Sequence, residues 1–188
     1  TSGYTIGNLY HKMGWRASDT RPLSFEDCEV PDEQRLGGRG EGFGQFMGIL
    51  DAGRVAIGAL SVGLAQACYD ESLKYARERQ QFGRPIAAFQ AIQFKLADMA
   101  TEIELARLMY YKAAWLHMQG QPYAKAASMA KLFASETAKR CADQAVQIHG
   151  GYGFMDEYPV SRYWRNVKVH EIGEGTSEVQ RLLIAKHL

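Results

Sequence analysis

The stretch that decides the fold is Ile92–Ala113, IQFKLADMATEIELARLMYYKA, in the middle of a chain of 188 residues. Its apolar side chains alternate spacings of four and three, which places them on one face of an α-helix. This stripe consists of Ile92, Leu96, Met99, Ile103, Ala106, Tyr110 and Ala113. It stops at Gly120-Gln121-Pro122, where glycine and proline end a helix. The sequence therefore predicts a long amphipathic helix that buries one face against other helices.

Further helices are predicted on both sides of this stretch. One runs from about Phe43 to about Gln81, and an alanine-rich one follows and ends at Gly150-Gly151. The apolar positions of the alanine-rich helix are Ala130, Ala134, Ala138, Cys141, Ala145 and Ile148. A short helix around 159–168 and a last one from about 175 complete the pattern. Long helices with short connections predict an antiparallel four-helix bundle, in which the alanine stripe lets a neighbouring helix pack closely.

Residues 1–42 have a different pattern, with short β-type stretches at Tyr4–Ile6, Leu23–Phe25 and Cys28–Pro31 between glycines. Three strands of this size do not close a core. We therefore expect a mainly α protein, in which 1–42 are the end of a truncated β-domain and 43–188 form the bundle domain. The chain begins at Thr1 without an initiator methionine, which indicates processing, proteolysis or a fragment.

Composition excludes several classes of function. The net charge is +1 with both signs interspersed, which argues against binding to nucleic acid or to an anionic membrane surface. Cys28, Cys68 and Cys141 form no CxxC pair, so we expect a reducing compartment and no disulfide. No apolar run is expected to span a membrane, and no signal peptide opens the chain. No Glu has a His three positions later, which disfavours a carboxylate-bridged metal centre in the bundle.

The run His170–Glu178, HEIGEGTSE, presents a carboxylate between two glycines. Glycines let the backbone turn sharply and let a ligand approach closely, so Glu174 is a candidate general base. The alternative is a helix N-terminus, with Thr176 or Ser177 as the cap and Glu178 favourable in the first turn. The run by itself leaves both interpretations open.

Three other motifs also have two interpretations. Arginines after the first long helix, in Arg77–Pro85, either complement the helix dipole or clamp a phosphate beside an aromatic ring. Asp51 and Arg54 lie three apart on one helix face and form either a surface ion pair or part of a binding site. The GGxG of Gln147–Phe154 follows a helix rather than a strand, which favours a C-terminal cap over a dinucleotide fingerprint.

Taken together, six runs resemble the acyl-CoA dehydrogenase family in order and spacing. They are Met13–Arg21, Asp51-x-x-Arg54, Arg79-x-x-Phe82-Gly83, Phe89–Gln93, Gln147-x-x-Gly150-Gly151 and Glu174–Arg181. The resemblance covers the whole chain and corresponds to the C-terminal half of such an enzyme: the end of its middle β-domain and its helical domain. It implies a flavoprotein that oxidises an acyl-CoA thioester to the trans-2-enoyl-CoA.

The resemblance also implies roles for individual residues. Glu174 stands where the family places its base, and Glu171 is the nearest rival but misses the motif position. Some members carry the base directly before the equivalent of Arg54, where this chain has Gly53. Substrate contacts are implied for Asp51, Arg54 and Gly175. FAD contacts are implied for Arg79, Gln81, Phe82, Gln90, Gln147, Gly150, Gly151, Thr176 and Glu178.

By the same resemblance, FAD bound mainly by another subunit is reached from this domain, so a dimer of dimers is implied. Electron-transfer flavoprotein is the implied acceptor, and the implied location is the bacterial cytoplasm or the mitochondrial matrix. An acyl-CoA oxidase that uses oxygen is the nearest alternative, and a non-catalytic helical oligomerisation module is another for this chain alone. Gly173 replaces a tyrosine of several short- and medium-chain members, and His149 replaces an apolar residue.

Overall fold

The computed structural model describes residues 1–188 and is mainly helical. Five α-helices follow one another: α1 (Gly42–Glu78), α2 (Gln90–Met118), α3 (Ala124–His149), α4 (Pro159–Ile172) and α5 (Ser177–Ala185). Two antiparallel ladders complete the regular structure: β1 (Tyr4–Ile6) with β2 (Leu23–Phe25), and β3 (Gln80–Gln81) with β4 (Arg84–Pro85). The predicted fold class is confirmed.

Helix α3 is the centre of the bundle and packs against α1, α2, α4 and α5. Its alanine stripe is completely buried, as predicted. A Cβ on Gly58 of α1 would lie 3.4 Å from the Cβ of Tyr110 and 3.7 Å from the carbonyl carbon of Ala130. The small residues therefore let the backbones of α1 and α3 approach closely. Dispersion contacts between the two helices then stabilise the packing.

The stripe that predicts α2 also forms its buried face. Leu96, Met99, Ile103, Ala106 and Ala113 are buried, and the remaining two positions of the stripe are half-buried at the rim of the core. The prediction of an amphipathic helix is confirmed, because the spacing of four and three matches 3.6 residues per turn.

The first 41 residues contribute no buried side chain and attach to α4. The Trp15 N–H donates to Asn166 Oδ1 at 2.8 Å, and the Trp15 ring meets His170 edge-on at 5.8 Å. A Cβ on Gly14 would lie 2.4 Å from the carbonyl oxygen of Arg165, so only glycine allows this approach. The strand expected at Cys28–Pro31 is wrong: the segment pairs with nothing, and Pro31, which lacks an N–H, leads into a short 3₁₀ turn. The division into two domains at 42/43 stays a prediction.

Helix α1 ends at Glu78, three residues before the predicted end. Gln80 and Gln81 pair instead with Pro85 and Arg84 in a small hairpin, whose turn residues Phe82 and Gly83 both have positive φ. Glycine adopts this conformation readily, and it makes the tight reversal that ends the helix.

Helix α1 corrects one expectation about membranes. It contains an 18-residue window with a mean hydropathy of 1.4, so it is long and apolar enough to cross a membrane by length and composition. The expectation that no run reaches this length is therefore wrong. A single such helix is weak evidence of a membrane span, because the core helix of a bundle passes the same test.

Candidate active site

The loop between α4 and α5 carries Glu174 in an unusual backbone conformation. Glu174 has a φ of +56° and Gly175 a φ of +95°. A side chain on Gly175 would also collide with Gln180, because a Cβ there would lie 2.8 Å from its Nε2. Non-glycine residues with positive φ persist where the surroundings over-determine them, and they cluster at functional sites.

The helix N-terminus expected here is also present. Thr176 is the N-cap of α5, and its Oγ1 accepts from the Val179 N–H at 3.4 Å. The Glu178 carboxyl lies in the first turn, and its pKa is lowered by its own backbone N–H and by the Thr176 hydroxyl. The cap and the presented carboxylate are therefore neighbouring parts of one loop rather than alternatives.

The Glu174 carboxylate lies against Gly53 of α1. By the resemblance, this is the position at which some family members carry their base. A Cβ on Gly53 would lie 2.7 Å from Glu174 Oε2 and 2.9 Å from its Cδ. Glu174 Oε2 is buried and has no hydrogen-bond partner within the chain. An unpaired buried carboxylate oxygen is costly, so it marks a position where a ligand group is to be received.

Glu171, the alternative candidate base, already forms a salt bridge. Its Oε2 accepts from Lys168 Nζ at 2.7 Å, which also raises the pKa of that lysine. Its pairing distinguishes it from Glu174.

Two side chains that the sequence analysis missed hold the Glu174 loop from beneath. Lys131 Nζ donates to the carbonyl oxygen of Gly175 at 2.8 Å. Gln180 Nε2 donates to the carbonyl oxygens of Glu174 at 3.0 Å and Gly175 at 2.9 Å. We call Lys131 and Gln180 the carbonyl clamp. A signal for Lys131 was available, since it lies four residues after Ala127 and three before Ala134, which places it on the buried stripe of α3.

Burial dominates the electrostatics beneath the loop. It lowers the pKa of Lys131 to about 8, with nearby Glu171 and Glu174 opposing the change and Arg54 adding to it. Burial, and then Lys131, lower the pKa of His170 to about 4. His170 is therefore neutral near pH 7, and its Nδ1 lies 3.0 Å from Ser61 Oγ.

Asp51 and Arg54 do not form a surface ion pair. Their charged groups are in contact, but the Arg54 residue is only 6% exposed and its Nε has no partner. Arg54 directly follows Gly53, which faces the Glu174 carboxylate. The structure thus brings Asp51 and Arg54, in the N-terminal half of α1, close to the loop of Glu174 and Gly175.

A second cluster forms where α1 and α3 end. Arg79, Gln81, Gly150 and Gly151 line one open cavity of about 620 Å³. Its walls are aromatic, and the Arg79 guanidinium lies over the Tyr152 ring at 5.6 Å from the centroid. Gly150 has a φ of +60° and ends α3, so the predicted C-terminal cap is confirmed.

Three other expected cofactor residues do not line this cavity. Phe82 projects from the hairpin and is 91% exposed. Gln147 lines a neighbouring cavity of about 780 Å³ between α3 and α4, and Gln90 is exposed at the start of α2.

His149 is packed in the wall of the second cluster. Its ring stacks on Tyr75 at 4.2 Å, and its Nδ1 lies 2.8 Å from the carbonyl oxygen of Ala145. Burial lowers its pKa. His149 is therefore a packed residue of the cavity wall with a backbone carbonyl beside its Nδ1. No group of three or more His, Cys, Asp or Glu side chains is placed to hold a metal ion.

The two clusters lie far apart within one chain. Twenty-five residues of α1 separate Gly53, beside Glu174, from Glu78, beside Arg79. At 1.5 Å per residue this is about 37 Å along the helix. One chain therefore places the candidate base and the arginine–aromatic cavity at opposite ends of the bundle.

Comparisons with known proteins identify the family of the chain. The family model "Acyl-CoA dehydrogenase, C-terminal domain" matches residues 40–188. The Bacillus subtilis protein named "Probable acyl-CoA dehydrogenase YngJ" is 58% identical over 188 residues, which are 100% of this chain and 50% of that protein. Butyryl-CoA dehydrogenase from Megasphaera elsdenii superposes with a TM-score of 0.97 at 44% identity, covering 100% of this chain and 49% of that one.

A third relative is a chain in a solved structure of the electron transferring flavoprotein of Acidaminococcus fermentans. It superposes with a TM-score of 0.97 at 48% identity, over 99% of this chain and 49% of that one. The chain thus spans about half the length of the relatives it matches. The family model and the identities over the whole chain show that it belongs to the acyl-CoA dehydrogenase family.

Proposed function

We propose that the full-length protein containing this chain oxidises an acyl-CoA thioester to the trans-2-enoyl-CoA, with Glu174 as the base that takes the α-proton. The observation that carries the proposal is the Glu174 carboxylate: one oxygen is buried, accepts no hydrogen bond and faces a position where only glycine leaves room. A general base needs an acceptor that the folded protein has not already paired.

The backbone of the same loop supports this role. The N–H of Glu174 makes no backbone hydrogen bond, so it is available to the thioester oxygen as charge develops there. Gly175 adds no side chain, which lets the thioester lie against the main chain. Asp51 and buried Arg54 would contact the CoA part at the same end of α1. When bound, FAD supplies the acceptor for the β-hydride.

We assign the second cluster to the FAD of another subunit. The donor set fits: the Arg79 guanidinium suits a pyrophosphate, the backbone at Gly150 and Gly151 is open to it, and aromatic walls flank a planar ring. Gln81, Phe82, Gln90 and Gln147 surround the same region. The separation of about 37 Å from Glu174 supports contacts to two different flavins, and hence a homo-oligomer, for which the family resemblance implies a dimer of dimers. Thr176 and Glu178 would lie near the flavin on the catalytic side.

The acceptor and the acyl group follow the relatives. Butyryl-CoA is the substrate named for one neighbour and electron transferring flavoprotein the assembly named for another. We therefore propose a short acyl chain and an electron-transfer flavoprotein as the acceptor. Peroxide released during turnover would instead support an acyl-CoA oxidase.

The test uses the full-length protein and its Glu174→Gln variant. The variant keeps size and polarity but cannot take a proton, so turnover should fall by about 10²–10⁴-fold with flavin content unchanged. Anaerobic bleaching of the flavin by butyryl-CoA measures this directly.

Glu171→Gln is the matched control, three residues earlier in the chain and already paired with Lys168. It should stay within about threefold of the wild type. Equal losses in the two variants, or a fast Glu174→Gln variant, would show that Glu174 is not the base.

A further inference from the structure

Lys131 is a buried charge that the proposed chemistry does not use. It has no exposed surface, and no carboxylate approaches its Nζ closely enough to form a salt bridge. Its hydrogen bond goes to the carbonyl oxygen of Gly175 at 2.8 Å. Burying an ammonium group without a close counter-ion is unfavourable. The neighbouring buried stripe is alanine, so packing alone does not require a lysine at this position.

The acceptor of this bond belongs to the loop with the strained backbone. Glu174 and Gly175 both have positive φ, and both of their carbonyls accept from the carbonyl clamp. An ionised donor makes a stronger bond than a neutral amide. The lysine therefore adds a stronger bond to those of Gln180, at the residue next to the candidate base.

We propose that Lys131 is a positioning residue for Glu174: by holding the Gly175 carbonyl, it keeps the Glu174 carboxylate opposite Gly53. The assignment rests on the proposed function above. It gives a reason for a cation beneath the loop, at a position on the alanine stripe of α3.

The acidic groups around the lysine only partly offset the effect of its burial, which lowers its pKa. Glu171 of α4 and Glu174 of the loop carry the opposite charge, whereas His170 is neutral near pH 7 and does not repel the ammonium group. The charged and titratable groups around Lys131 are Arg54, Glu136, His170, Glu171 and Glu174.

The experiment compares three variants of the full-length, FAD-loaded protein. Lys131→Met removes the bond and keeps an unbranched side chain that is one atom shorter, Lys131→Arg keeps a cationic donor, and Lys125→Met is the control. Lys125 is on the same helix and also bonds a backbone carbonyl, that of His187 at 3.1 Å, away from the loop.

We expect Lys131→Met to lower the limiting rate of flavin reduction by about 10–100-fold, because a displacement near 1 Å costs about that much. The apparent affinity for the acyl-CoA should change far less, and the melting temperature should not fall. Lys131→Arg should recover most of the rate, and Lys125→Met should match the wild type. A lysine with a purely structural role would instead lower the melting temperature and leave the rate of the folded fraction unchanged, which would overturn the proposal.

Amide hydrogen exchange provides a readout that needs no acyl-CoA. Peptides covering Gly173–Thr176 should exchange faster in Lys131→Met than in the wild type and in Lys125→Met, while α3 stays protected. Unchanged exchange in this loop would overturn the positioning role even if the enzyme is active. A wild type that reduces no flavin with any acyl-CoA would remove the proposed function and leave the exchange comparison to decide on the clamp.

Discussion

Two loops of the candidate site have the same local backbone and different surroundings. In the loop after α4, Glu174 and Gly175 both have positive φ; in the hairpin after α1, Phe82 and Gly83 do. Glu174 is held against α1 with a buried carboxylate oxygen, whereas Phe82 is 91% exposed. The same turn chemistry therefore presents one side chain to the interior and the other to solvent.

The difference lies in what holds each loop. Buried side chains of α3 and α5 bond the carbonyls of Glu174 and Gly175, so this chain alone fixes that loop. The hairpin has its own short ladder and an edge-on contact between Phe82 and Phe89 at 6.0 Å. An exposed ring on a rigid turn suits contact with a molecule outside the chain, which agrees with a cofactor held by another subunit.

The largest expected effect is on the free energy of unfolding, because a buried charged lysine holds the loop after α4. The pKa of buried Lys131 is lowered to about 8 from 10.5, so between these values the folded protein binds fewer protons than the unfolded one. The free energy of unfolding therefore rises with pH between about 8 and 10.5 because of this group. Lys131→Met should be more stable than the wild type at pH 7, by up to roughly 3 kcal/mol, with the advantage fading between pH 8 and 10.5.

Melting of the full-length protein across this pH range measures the effect, with Lys125→Met correcting for changes elsewhere. A Lys131→Met variant that is less stable than the wild type at pH 7 would mean that the lysine stabilises the fold outright. The first loop would then be fixed by ordinary stabilising contacts, like the rest of the bundle.

The next effect concerns the glycine that faces the candidate base. Gly53→Ala places a Cβ 2.7 Å from Glu174 Oε2, and the flexible end of the glutamate must move. We expect flavin reduction to slow by about 100-fold, since small misplacements of a reacting group are costly. Stability should not fall, because alanine is favoured over glycine within a helix by about 0.5–1 kcal/mol.

Gly63→Ala is the matched control on the same helix, where an added Cβ meets nothing within 4 Å. It should share the gain in stability and keep the wild-type rate. Equal rates in the two variants would show that the position of the carboxylate against α1 does not matter for catalysis.

Periodicity predicted the bundle well because repetition makes it a strong signal. Met99 and Ile103 of α2 and Ala134 and Ala138 of α3 lie where the spacing of four and three places them. The strand expected at Cys28–Pro31 failed because a short β-type stretch gives no information about a pairing partner.

The site was only partly predictable, for a different reason. The resemblance predicts roles for Glu174 and Arg79, but it did not reveal that their clusters lie about 37 Å apart, since that follows from the length of an unbroken α1. The sequence analysis gave no separate role to Lys131 or Gln180, because charged and polar residues are generally expected at the surface. Their burial depends on tertiary packing, although the register of Lys131 with the alanines was visible in the sequence.

The smallest expected effect is on the affinity for FAD and tests the hairpin after α1. Phe82→Ala removes a ring that the chain itself hardly buries, so the melting temperature of the flavin-free protein should not change. FAD binding should weaken by about tenfold, the size expected for one lost aromatic contact of about 1.4 kcal/mol. Phe82→Tyr keeps the ring and should bind FAD like the wild type, which separates the effect of the ring from that of the strained turn that carries it.

A dissociation constant for FAD that is the same in all three proteins would leave the hairpin without a cofactor role. The contrast between the two loops would then reflect only where each turn lies in the bundle.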